Sequence, residues 1–358
     1  MPRARHRSVT SPPHTDTSVD LARLLEVVSA FSRQTVCVVG DFVLDEFVSG
    51  DISRVSREAP VLILRHRRTD AYPGGGANAA MNLASLGANV LAVGVVGNDA
   101  GGRTLLDRFR AAKINARGVS RIQGWTTPVK TRYLAGWTHT TEQQVLRVDR
   151  EPSGSLQDEA IKKLERNARR GATAVDAVLV SDYGFGAATP AMVQKLNAKR
   201  ITLDSRYRLL EYRGCGITAA TPNEYELQAA YHTEIGPNVA KLDEMGARAR
   251  EELGLDALVV TRGKAGLAVF EALEAKGGKS QTAHHIPVYG SDEAVDVTGA
   301  GDTVIAVFTL ALSAGASYLE AAHLANYAGG IVVMKRRTAT VTRAELENVL
   351  RAEATAQR

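Results

Sequence analysis

The sequence predicts an α/β fold with three layers, in which a central, mostly parallel sheet lies between two layers of helices. Short apolar segments such as 35–40 (TVCVVG), 177–181 (AVLVS) and 257–261 (ALVVT) alternate with helical segments along the chain. This alternation is typical of a parallel sheet covered on both faces. With 358 residues, 44% of them hydrophobic, the chain is long enough to bury a large core.

The predicted domain covers residues 21–350, with a tail at either end. Residues 1–20 are rich in Ser, Thr, Pro and Arg and poor in apolar residues. Such a segment cannot bury enough surface to fold, so we predict a disordered basic tail, with a transit peptide as the alternative. Residues 351–358 are predicted to form a short C-terminal tail.

Two regions, 46–70 and 126–150, interrupt the alternation of strands and helices. They contain the extended segments 59–67 (APVLILRHR), 129–135 (VKTRYLA) and 144–149 (QVLRVD). We predict that these segments form a small antiparallel sheet projecting from the main one. Such a sheet would serve as a lid that excludes water from a ligand site, and an ordinary edge hairpin is the alternative.

The composition argues against several classes of partner. The net charge is +5, but the basic residues are scattered and aromatic residues make up only 5%, which disfavours nucleic-acid binding. No apolar run of about 18 residues is present, so no membrane span is expected. The cysteines, Cys37 and Cys215, lack metal-ligand spacing, and we expect a reducing, cytoplasmic setting.

The strongest local motif is 296–303 (DVTGAGDT), which leads directly into an apolar helix. Its small residues Gly299, Ala300 and Gly301 let backbone N–H groups approach a ligand, and the start of a helix binds anions. Asp302 lies beside this anion hole and is the candidate base that takes the proton of an attacking hydroxyl in phosphoryl transfer. The alternative is that Asp302 only caps the helix. Because a helix N-terminus favours the ionised carboxylate, we expect no rise in the pKa of Asp302.

A second glycine motif, 73–78 (PGGGAN), precedes another helical run. Gly75 and Gly76 permit close contact with a ligand, and Asn78 can both donate and accept the hydrogen bonds that sugar hydroxyls need. A plain turn is the alternative. A dinucleotide-binding loop is not expected, because residues 71–73 are a poor strand end.

Asp45 ends the segment 39–45 (VGDFVLD), which begins at the end of the first predicted strand. Ligands of open α/β sheets bind outside the carboxyl ends of the strands. Asp45 is therefore a candidate for holding two hydroxyls of a sugar, and a surface loop aspartate is the alternative.

Two further motifs follow predicted strands. In 221–226 (TPNEYE), Asn223 can cap a helix and Glu226 stands three residues later, as in a capping box. The functional alternative places Glu226 near a hydrated magnesium ion. The segment 261–266 (TRGKAG) is either a tight hairpin or a loop that brings basic side chains and backbone N–H groups to nucleotide phosphates.

Together these motifs resemble the ribokinase/phosphofructokinase-B family of sugar kinases over nearly all of the chain from Thr35 to Glu347. The resemblance implies a ribokinase-like fold with a β lid, the cofactors ATP and Mg²⁺, and Asp302 as the base beside the 299–301 anion hole. It implies nucleotide binding by Asn223, Glu224, Tyr225, Glu226, Thr261, Gly263 and Gly266, with Glu226 reaching the metal through water. It implies sugar binding by Asp45, Gly75, Gly76 and Asn78.

Within that family, the closest similarity is to the kinases of heptose 7-phosphate in lipopolysaccharide precursor synthesis. It is carried by the segments 40–45, 53–61, 78–88, 179–183 and 296–304. The similarity implies ATP-dependent phosphorylation of D-glycero-D-manno-heptose 7-phosphate to the 1,7-bisphosphate. Such kinases are often fused to a nucleotidyltransferase. Because this chain ends at Arg358, we expect a separate nucleotidyltransferase to act next.

One departure from the family concerns the substrate. Asp204-Ser205-Arg206 stands where members carry Asp-Pro-Lys, so Arg206 replaces a lysine with a cation of different shape and hydration. The non-reacting phosphate of a sugar phosphate needs cations, and Arg206 is the first candidate for binding it. The further candidates are Arg54, Arg57, Lys130 and Arg132, and plain surface charge is the alternative for each.

Two other functions are left open by the sequence. One is a kinase of the same family with another sugar or sugar phosphate, and the other is a non-catalytic regulator that binds sugar or nucleotide. The presence of Asp302 with its anion hole argues against the regulator. Family resemblance implies a homodimer formed through the lid, and a monovalent cation near Asp296 and Thr298 is left open.

Overall fold

Parallel strands lie side by side through the centre of the molecule, with helices packed on both faces. The computed structural model describes residues 19–137, 142–275, 278–290 and 294–357, and the side chains of 273–282 are outside this description. The predicted basic tail at 1–20 lies outside the described residues except for its last two.

The strands of the described part are β1 (Thr35–Val55), β2 (Leu62–Gly75), β3 (Asn89–Gly97), β4 (Asn115–Ile122), β5 (Val129–Gly136), β6 (Gln143–Arg150), β7 (Ala177–Asp182), β8 (Ile201–Ser205), β9 (Ala219–Ala220), β10 (Ala257–Thr261), β11 (Leu267–Ala275) and β12 (Gly278–Ile286). The α-helices are α1 (Leu21–Ser29), α2 (Gly76–Ser85), α3 (Ala100–Ala111), α4 (Asp158–Ala172), α5 (Pro190–Val193), α6 (Glu224–Tyr231), α7 (Val239–Leu253), α8 (Ala300–Ser313), α9 (Tyr318–Val333) and α10 (Arg343–Ala356).

The main sheet has the strand order β12-β11-β10-β9-β8-β7-β1-β3-β4. Neighbouring strands from β4 through β10 are parallel, and β11 and β12 add an antiparallel edge. The residues of β7 are all buried, as expected for a strand with helices on both faces. This architecture confirms the predicted α/β class with a central, mostly parallel sheet.

Two separate hydrophobic clusters give the fold its three layers. One joins α1, α2, α3, α8, α9 and α10 to one face of the sheet, with Leu83 and Phe308 fully buried in it. The other joins the helices α4, α5, α6 and α7 to the opposite face of the sheet. It contains the buried side chains of Leu203 and Phe270. The sheet edge formed by the carboxyl ends of the strands therefore lies on a core that is fixed from both sides.

The long strand β1 connects the main sheet to the lid. Its first part pairs with β3 and β7, and from Phe42 onward it pairs with β2 and β5 instead. The lid was predicted to be antiparallel, and this is wrong for one pair, because β1 and β5 are parallel. The other two pairs are antiparallel: β2 with β1, and β6 with β5. The reason is topological, because β5 enters the lid from the main sheet, as β1 does.

Strand β2 corrects a second expectation. Residues 71–73 were predicted to be a poor strand end, yet β2 runs through Pro73 to Gly75 and leads directly into α2. Proline is tolerated because β2 is an edge strand of the lid. A dinucleotide-binding loop is still excluded, since β2 is antiparallel to its neighbour and not part of a parallel strand–helix–strand unit.

The end of the chain corrects a third expectation. Helix α10 continues to Ala356, so most of the predicted tail at 351–358 is helical. Its N-terminus is held by a capping box between Thr342 and Glu345. None of the helices in the described part is both long and apolar enough to cross a membrane.

Gly40 on β1 lies opposite Ser181 on β7, where the two strands approach closely. A Cβ at this position would lie 2.3 Å from the carbonyl oxygen of Ser181. We predict that Gly40→Ala lowers the free energy of unfolding by about 1–3 kcal/mol, because the clash is with backbone that cannot move without parting the strands. Chemical denaturation measures the change.

The matched control is Gly329→Ala in α9, where the new Cβ would meet only Cγ2 of Val304, at 3.4 Å. Alanine favours a helix, so this variant is expected to be as stable as the parent or more stable. Equal stability of Gly40→Ala and the parent would show that the strand contact is not under this constraint.

Candidate active site

Helix α8 begins at the glycine-rich motif singled out in the sequence. Gly299 is its N-cap and has the left-handed φ of 79°. A Cβ there would lie 2.5 Å from Nδ2 of Asn78 and 3.1 Å from Cγ2 of Thr338, so only glycine fits. The N–H groups of Gly301 and Asp302 lie in the first turn, where helix geometry offers them no acceptor, and they are available to an anion.

Asp302 is almost fully buried, with 4% of its surface exposed. Nδ2 of Asn78 donates to its Oδ2 at 3.0 Å, and the hydroxyl of Tyr183 donates to its Oδ1 at 2.8 Å. Burial raises the pKa of Asp302 to about 6, although both hydrogen bonds lower it. The expectation that the pKa of Asp302 is not raised is therefore wrong, because desolvation outweighs the helix N-terminus.

Two more carboxylates lie near Asp302, one at the end of β8 and one on α6. Burial raises the pKa of Glu226 to about 7, and nearby Asp302 adds to the rise. The pKa of Asp204 is also raised, first by burial and then by the negative charges of Glu226 and Asp302. Arg206 lowers both values. Neighbouring carboxylates thus raise the pKa values of Asp204 and Glu226, and the nearby positive charge of Arg206 offsets this effect only in part.

The predicted capping box at α6 is present. The N–H of Asn223 donates to Oε2 of Glu226 at 2.9 Å, and the N–H of Glu226 donates to Oδ1 of Asn223 at 2.9 Å. Glu224 pairs with Arg262 at 2.6 Å, whereas the side chain of Tyr225 points into solvent. The capping role of Glu226 leaves its second carboxylate oxygen for other partners.

A divalent metal fits this surplus of carboxylate charge. No group of three or more His, Cys, Asp or Glu side chains in the described ranges is close enough to hold an ion directly. A hydrated Mg²⁺, which keeps several waters and takes its remaining ligands from phosphate oxygens, needs only one or two nearby carboxylates. Asp204 and Glu226 meet that requirement.

An apolar cavity of about 280 Å³ opens beside the start of α8. We call it the apolar cavity. It brings together three of the predicted nucleotide residues, Thr261, Gly263 and Gly266, with Ala300 and Gly301 of the anion hole. Its remaining walls are mostly aliphatic and include Leu267, Val288, Val297, Val304 and Val333. Such a pocket suits a flat, apolar ring next to a site for anions.

A second cavity of about 280 Å³ lies between the lid and the ends of β7 and β8, and we call it the basic cavity. Its cationic side chains are Lys130, Arg147 and Arg206, and its acidic ones are Asp149 and Glu151. Arg147 is paired with Asp149, with Nε and Oδ1 2.7 Å apart. Neither Lys130 nor Arg206 forms an ion pair with a carboxylate in the described part of the chain. Burial, then the charge of Arg206, lowers the pKa of Lys130.

Asp45 lies at the base of the lid and is buried. Its Oδ1 accepts from Nη1 of Arg132 at 2.6 Å, and its Oδ2 accepts from Oγ1 of Thr338 at 3.1 Å. The α2 N-terminus lies close by: Gly75 has a φ of 55°, and a Cβ on Gly75 would lie 3.1 Å from the Tyr183 ring. Asp45, Gly75, Gly76 and Asn78 are all buried, and Asn78 contacts Asp302 directly.

Some predicted residues are not brought to this space. Arg54 lies nine positions beyond Asp45 on β1, which corresponds to roughly 30 Å of extended strand, and is exposed. Arg57 is exposed in the loop beyond β1. The guanidinium of Arg132 forms an ion pair with Asp45. The expectation that Arg54 binds substrate in its own chain is therefore wrong, because β1 carries it to the distal end of the lid.

Sequence reasoning missed the role of Tyr183, which was noted only as part of a motif. Its position is set by Asp41, whose carboxylate accepts the N–H groups of Tyr183, Phe185 and Ala187 at 2.8, 3.0 and 2.9 Å. Burial raises the pKa of Asp41 to about 6, against these three bonds. The only available signal was Asp41 itself, an acidic residue at the end of a buried strand.

Comparison with known sequences gives the family. The family model described as pfkB family carbohydrate kinase matches residues 33–344. A curated relative from Desulfatibacillum aliphaticivorans, named Bifunctional protein HldE, is 37% identical over 326 residues, which is 89% of this chain and 64% of the relative. The chain therefore spans just under two thirds of that relative's length.

Solved structures give the same fold. The ribokinase of Arabidopsis thaliana, complexed with ribose and ATP, matches with a TM-score of 0.66 and 18% identity, over 88% of this chain and 98% of that one. Phosphofructokinase-2 from Escherichia coli, in complex with potassium, matches with a TM-score of 0.70 and 16% identity, over 90% and 99%. These likenesses confirm the ribokinase-like fold.

The family match, over residues 33–344, covers most of the chain. It also agrees with the geometry, in which a buried carboxylate lies beside a helix N-terminus and between two cavities. The chain belongs to the pfkB family of carbohydrate kinases.

Proposed function

We propose that this protein uses ATP to phosphorylate a hydroxyl of a sugar phosphate, and that the substrate is D-glycero-D-manno-heptose 7-phosphate, which becomes the 1,7-bisphosphate. The observation that carries the proposal is the buried Asp302 carboxylate beside free N–H groups of α8. The motif similarity to heptose 7-phosphate kinases and the relative named HldE support this choice of sugar.

In the proposed reaction the acceptor hydroxyl gives its proton to Asp302 while its oxygen bonds to the γ-phosphorus of ATP. The bond from that phosphorus to the β–γ bridging oxygen breaks, and ADP leaves with the electron pair. The N–H groups of Gly301 and Asp302 stabilise the charge on the transferred phosphoryl oxygens. With a pKa of about 6, Asp302 is ionised at neutral pH and is a stronger base than an ordinary aspartate.

The apolar cavity is the proposed site of the adenine ring, because its aliphatic walls end at the anion hole. The 261–266 loop and the start of α6 would then flank the phosphates. Asp204 and Glu226 would hold Mg²⁺ through water, and the ion would neutralise charge on the nucleotide phosphates. Binding of that ion relieves the mutual repulsion of the carboxylates, which favours their ionised forms.

The basic cavity is the proposed site of the non-reacting phosphate. Lys130 and Arg206 face this cavity without a carboxylate partner among the described ion pairs, and the pKa of Lys130 is lowered by burial and by Arg206. Two cations that repel each other across a cavity gain most from a dianion placed between them. A phosphorylated sugar supplies that dianion, and a neutral sugar does not.

Another sugar or sugar-phosphate kinase activity is the alternative that the family supports most directly. A regulator without catalysis is disfavoured, because a binding protein gains nothing from burying Asp302 at a cost in desolvation. Assay of ATP-dependent transfer across a panel of sugars and sugar phosphates separates the three functions.

Other parts of the proposal concern partners and setting. A homodimer through the lid is supported by exposed Leu146 and Val148 on the edge strand β6 and is testable by sedimentation. A monovalent cation near Asp296 is testable by comparing potassium with sodium. A nucleotidyltransferase would use the product, because the heptose 7-phosphate kinases that the motifs resemble are often fused to one. The free thiols of Cys37 and Cys215 suit a reducing, cytoplasmic setting.

The hydrogen bond from Tyr183 predicts a pH effect. Because the bond stabilises the ionised carboxylate, its removal raises the pKa of Asp302 further above about 6. We predict that Tyr183→Phe moves the acid limb of kcat/KM upward by about one pH unit. The profile is compared with the parent on the same substrates, so titration of substrate phosphates cancels.

Tyr207→Phe is the matched control. Tyr207 lines the basic cavity, as Tyr183 does, but it is 70% exposed. Its acid limb is expected to coincide with that of the parent. An acid limb of Tyr183→Phe that stays in place or moves to lower pH would contradict the assignment of Asp302 as the titrating base.

The basic cavity predicts a substrate-dependent defect. We predict that Arg206→Ala raises KM for heptose 7-phosphate by about tenfold or more, because a charge-assisted contact with phosphate is lost. KM for the unphosphorylated heptose is expected to change less than about twofold, since that sugar does not use this contact. KM for ATP reports separately the loss of the Arg206 charge near Asp204 and Glu226. Steady-state kinetics with both sugars measure the difference.

Arg54→Ala is the control for the loss of one positive charge, because Arg54 lies at the distal end of the lid. It should leave all three KM values unchanged. Equal effects of Arg206→Ala on both sugars, or a parent enzyme that prefers the unphosphorylated sugar, would reject the sugar-phosphate proposal and favour the alternative kinase.

A further inference from the structure

A two-residue segment after α9, Arg337 and Thr338, touches the lid and the catalytic loop at once, and we call it the strap. Arg337 has a φ of 66°, in the left-handed region. The other described non-glycine residues with such a φ, Lys113 and His232, lie at the C-terminal ends of helices, where it is common. Arg337 has no such helix end, so its strain of about 1 kcal/mol or more is offset by specific contacts.

The backbone of Arg337 holds the loop that leads into the anion hole. Its N–H donates to Oδ2 of Asp296 at 2.8 Å, and Oδ1 of the same carboxylate accepts from the N–H of Thr298 at 2.9 Å. Asp296 therefore connects the strap to the residue that precedes Gly299.

The side chain of Arg337 extends in the other direction, into the lid. Its guanidinium forms an ion pair with Asp70 of β2 and donates to Oγ of Ser49 on β1 at 3.2 Å. It also lies 3.7 Å from Glu142 and 5.6 Å from the centre of the Phe47 ring. Only 11% of the side chain is exposed. The guanidinium is thus held by two lid strands and is shielded from water, which strengthens its ion pairs.

Thr338 completes the connection. Its hydroxyl donates to Oδ2 of Asp45 at 3.1 Å, and its methyl carbon lies 3.1 Å from the position that a Cβ on Gly299 would occupy. One residue therefore contacts both the proposed sugar carboxylate and the N-cap of α8. A movement of the lid that pulls on Arg337 must also move these two groups.

We propose that Arg337 is a positioning residue for the acceptor sugar, acting through Asp70 on the lid and through Thr338 on Asp45. With the ion pair formed, the lid, the sugar carboxylate and the anion-hole loop are held as one unit. Without it, the lid moves independently, and the acceptor loses binding energy while the nucleotide does not. The acceptor part of this inference rests on the proposed function.

The test uses Arg337→Gly, which removes the guanidinium, keeps the backbone N–H and accepts a φ of 66° without strain. We expect KM for the sugar phosphate to rise about tenfold or more, as for loss of a buried charged hydrogen bond. KM for ATP is expected to change less than about twofold, and the melting temperature to fall only slightly, since strain is relieved. Arg337→Lys should recover part of the affinity through its charge.

Arg336→Gly is the matched control, because it removes the same charge from the adjacent, exposed position. It should behave as the parent does. Asp70→Asn should raise the same KM, by an amount of its own, because Asp70 also pairs with Arg68 and Arg337 also contacts Ser49 and Glu142. The double variant should fall short of the sum of the two single effects, because both remove the Arg337–Asp70 ion pair. The proposal would be overturned by additive effects of Arg337→Gly and Asp70→Asn, or by an equal rise in KM for the sugar phosphate and KM for ATP. A defect of Arg336→Gly as large as that of Arg337→Gly would also overturn it.

Hydrogen exchange of the free protein keeps this test separate from the proposed substrate. Arg337→Gly should speed amide exchange in β2 and in residues 294–298, and Arg336→Gly should not. If the parent phosphorylates no sugar phosphate but the exchange result holds, the proposed function fails and the strap stands. If exchange in β2 and the loop is unchanged, the strap is rejected whatever the substrate.

Discussion

Burial of the Asp302 carboxylate is the constraint on which the rest of the active centre depends. A carboxylate removed from water requires hydrogen-bond donors, and Asn78 and Tyr183 supply them from α2 and from the loop after β7. Both donors are themselves held, Asn78 by the amide of Asn82 and Tyr183 by the carboxylate of Asp41. The position of the base is therefore set by α2 and the loop after β7 as well as by helix α8, which carries Asp302 and the N–H groups.

The same burial creates an imbalance of charge that organises the surroundings. Asp204 and Glu226 add negative charge near Asp302, and their pKa values are raised because Arg206 compensates it only in part. Lys130 lies on the other side, with its pKa lowered by burial and by Arg206. Charges of both signs thus influence one another close to Asp302. A metal–nucleotide complex on one side and a phosphorylated sugar on the other would satisfy both.

Sequence reasoning anticipated the parts that depend on local pattern. The parallel sheet follows from buried strands alternating with helices, and the glycine motif marks the helix start at Gly299 because backbone geometry there is local. It failed where an effect depends on tertiary contacts. The pKa of Asp302 was expected to stay low, since burial is invisible in one segment. Arg54 was assigned to the substrate because sequence gives no distance along the lid, and Arg337 drew no attention because its partners are distant in the chain.

The role of Asp302 as the base is tested most directly by Asp302→Asn, which keeps the shape of the side chain and removes its basicity. The account predicts that kcat falls about 100- to 10,000-fold, as for loss of a general base. The dissociation constant for ATP, measured by calorimetry, should stay within about threefold, because nucleotide contacts are elsewhere in the site. A variant that binds ATP normally and keeps more than half of the parent kcat would contradict the account.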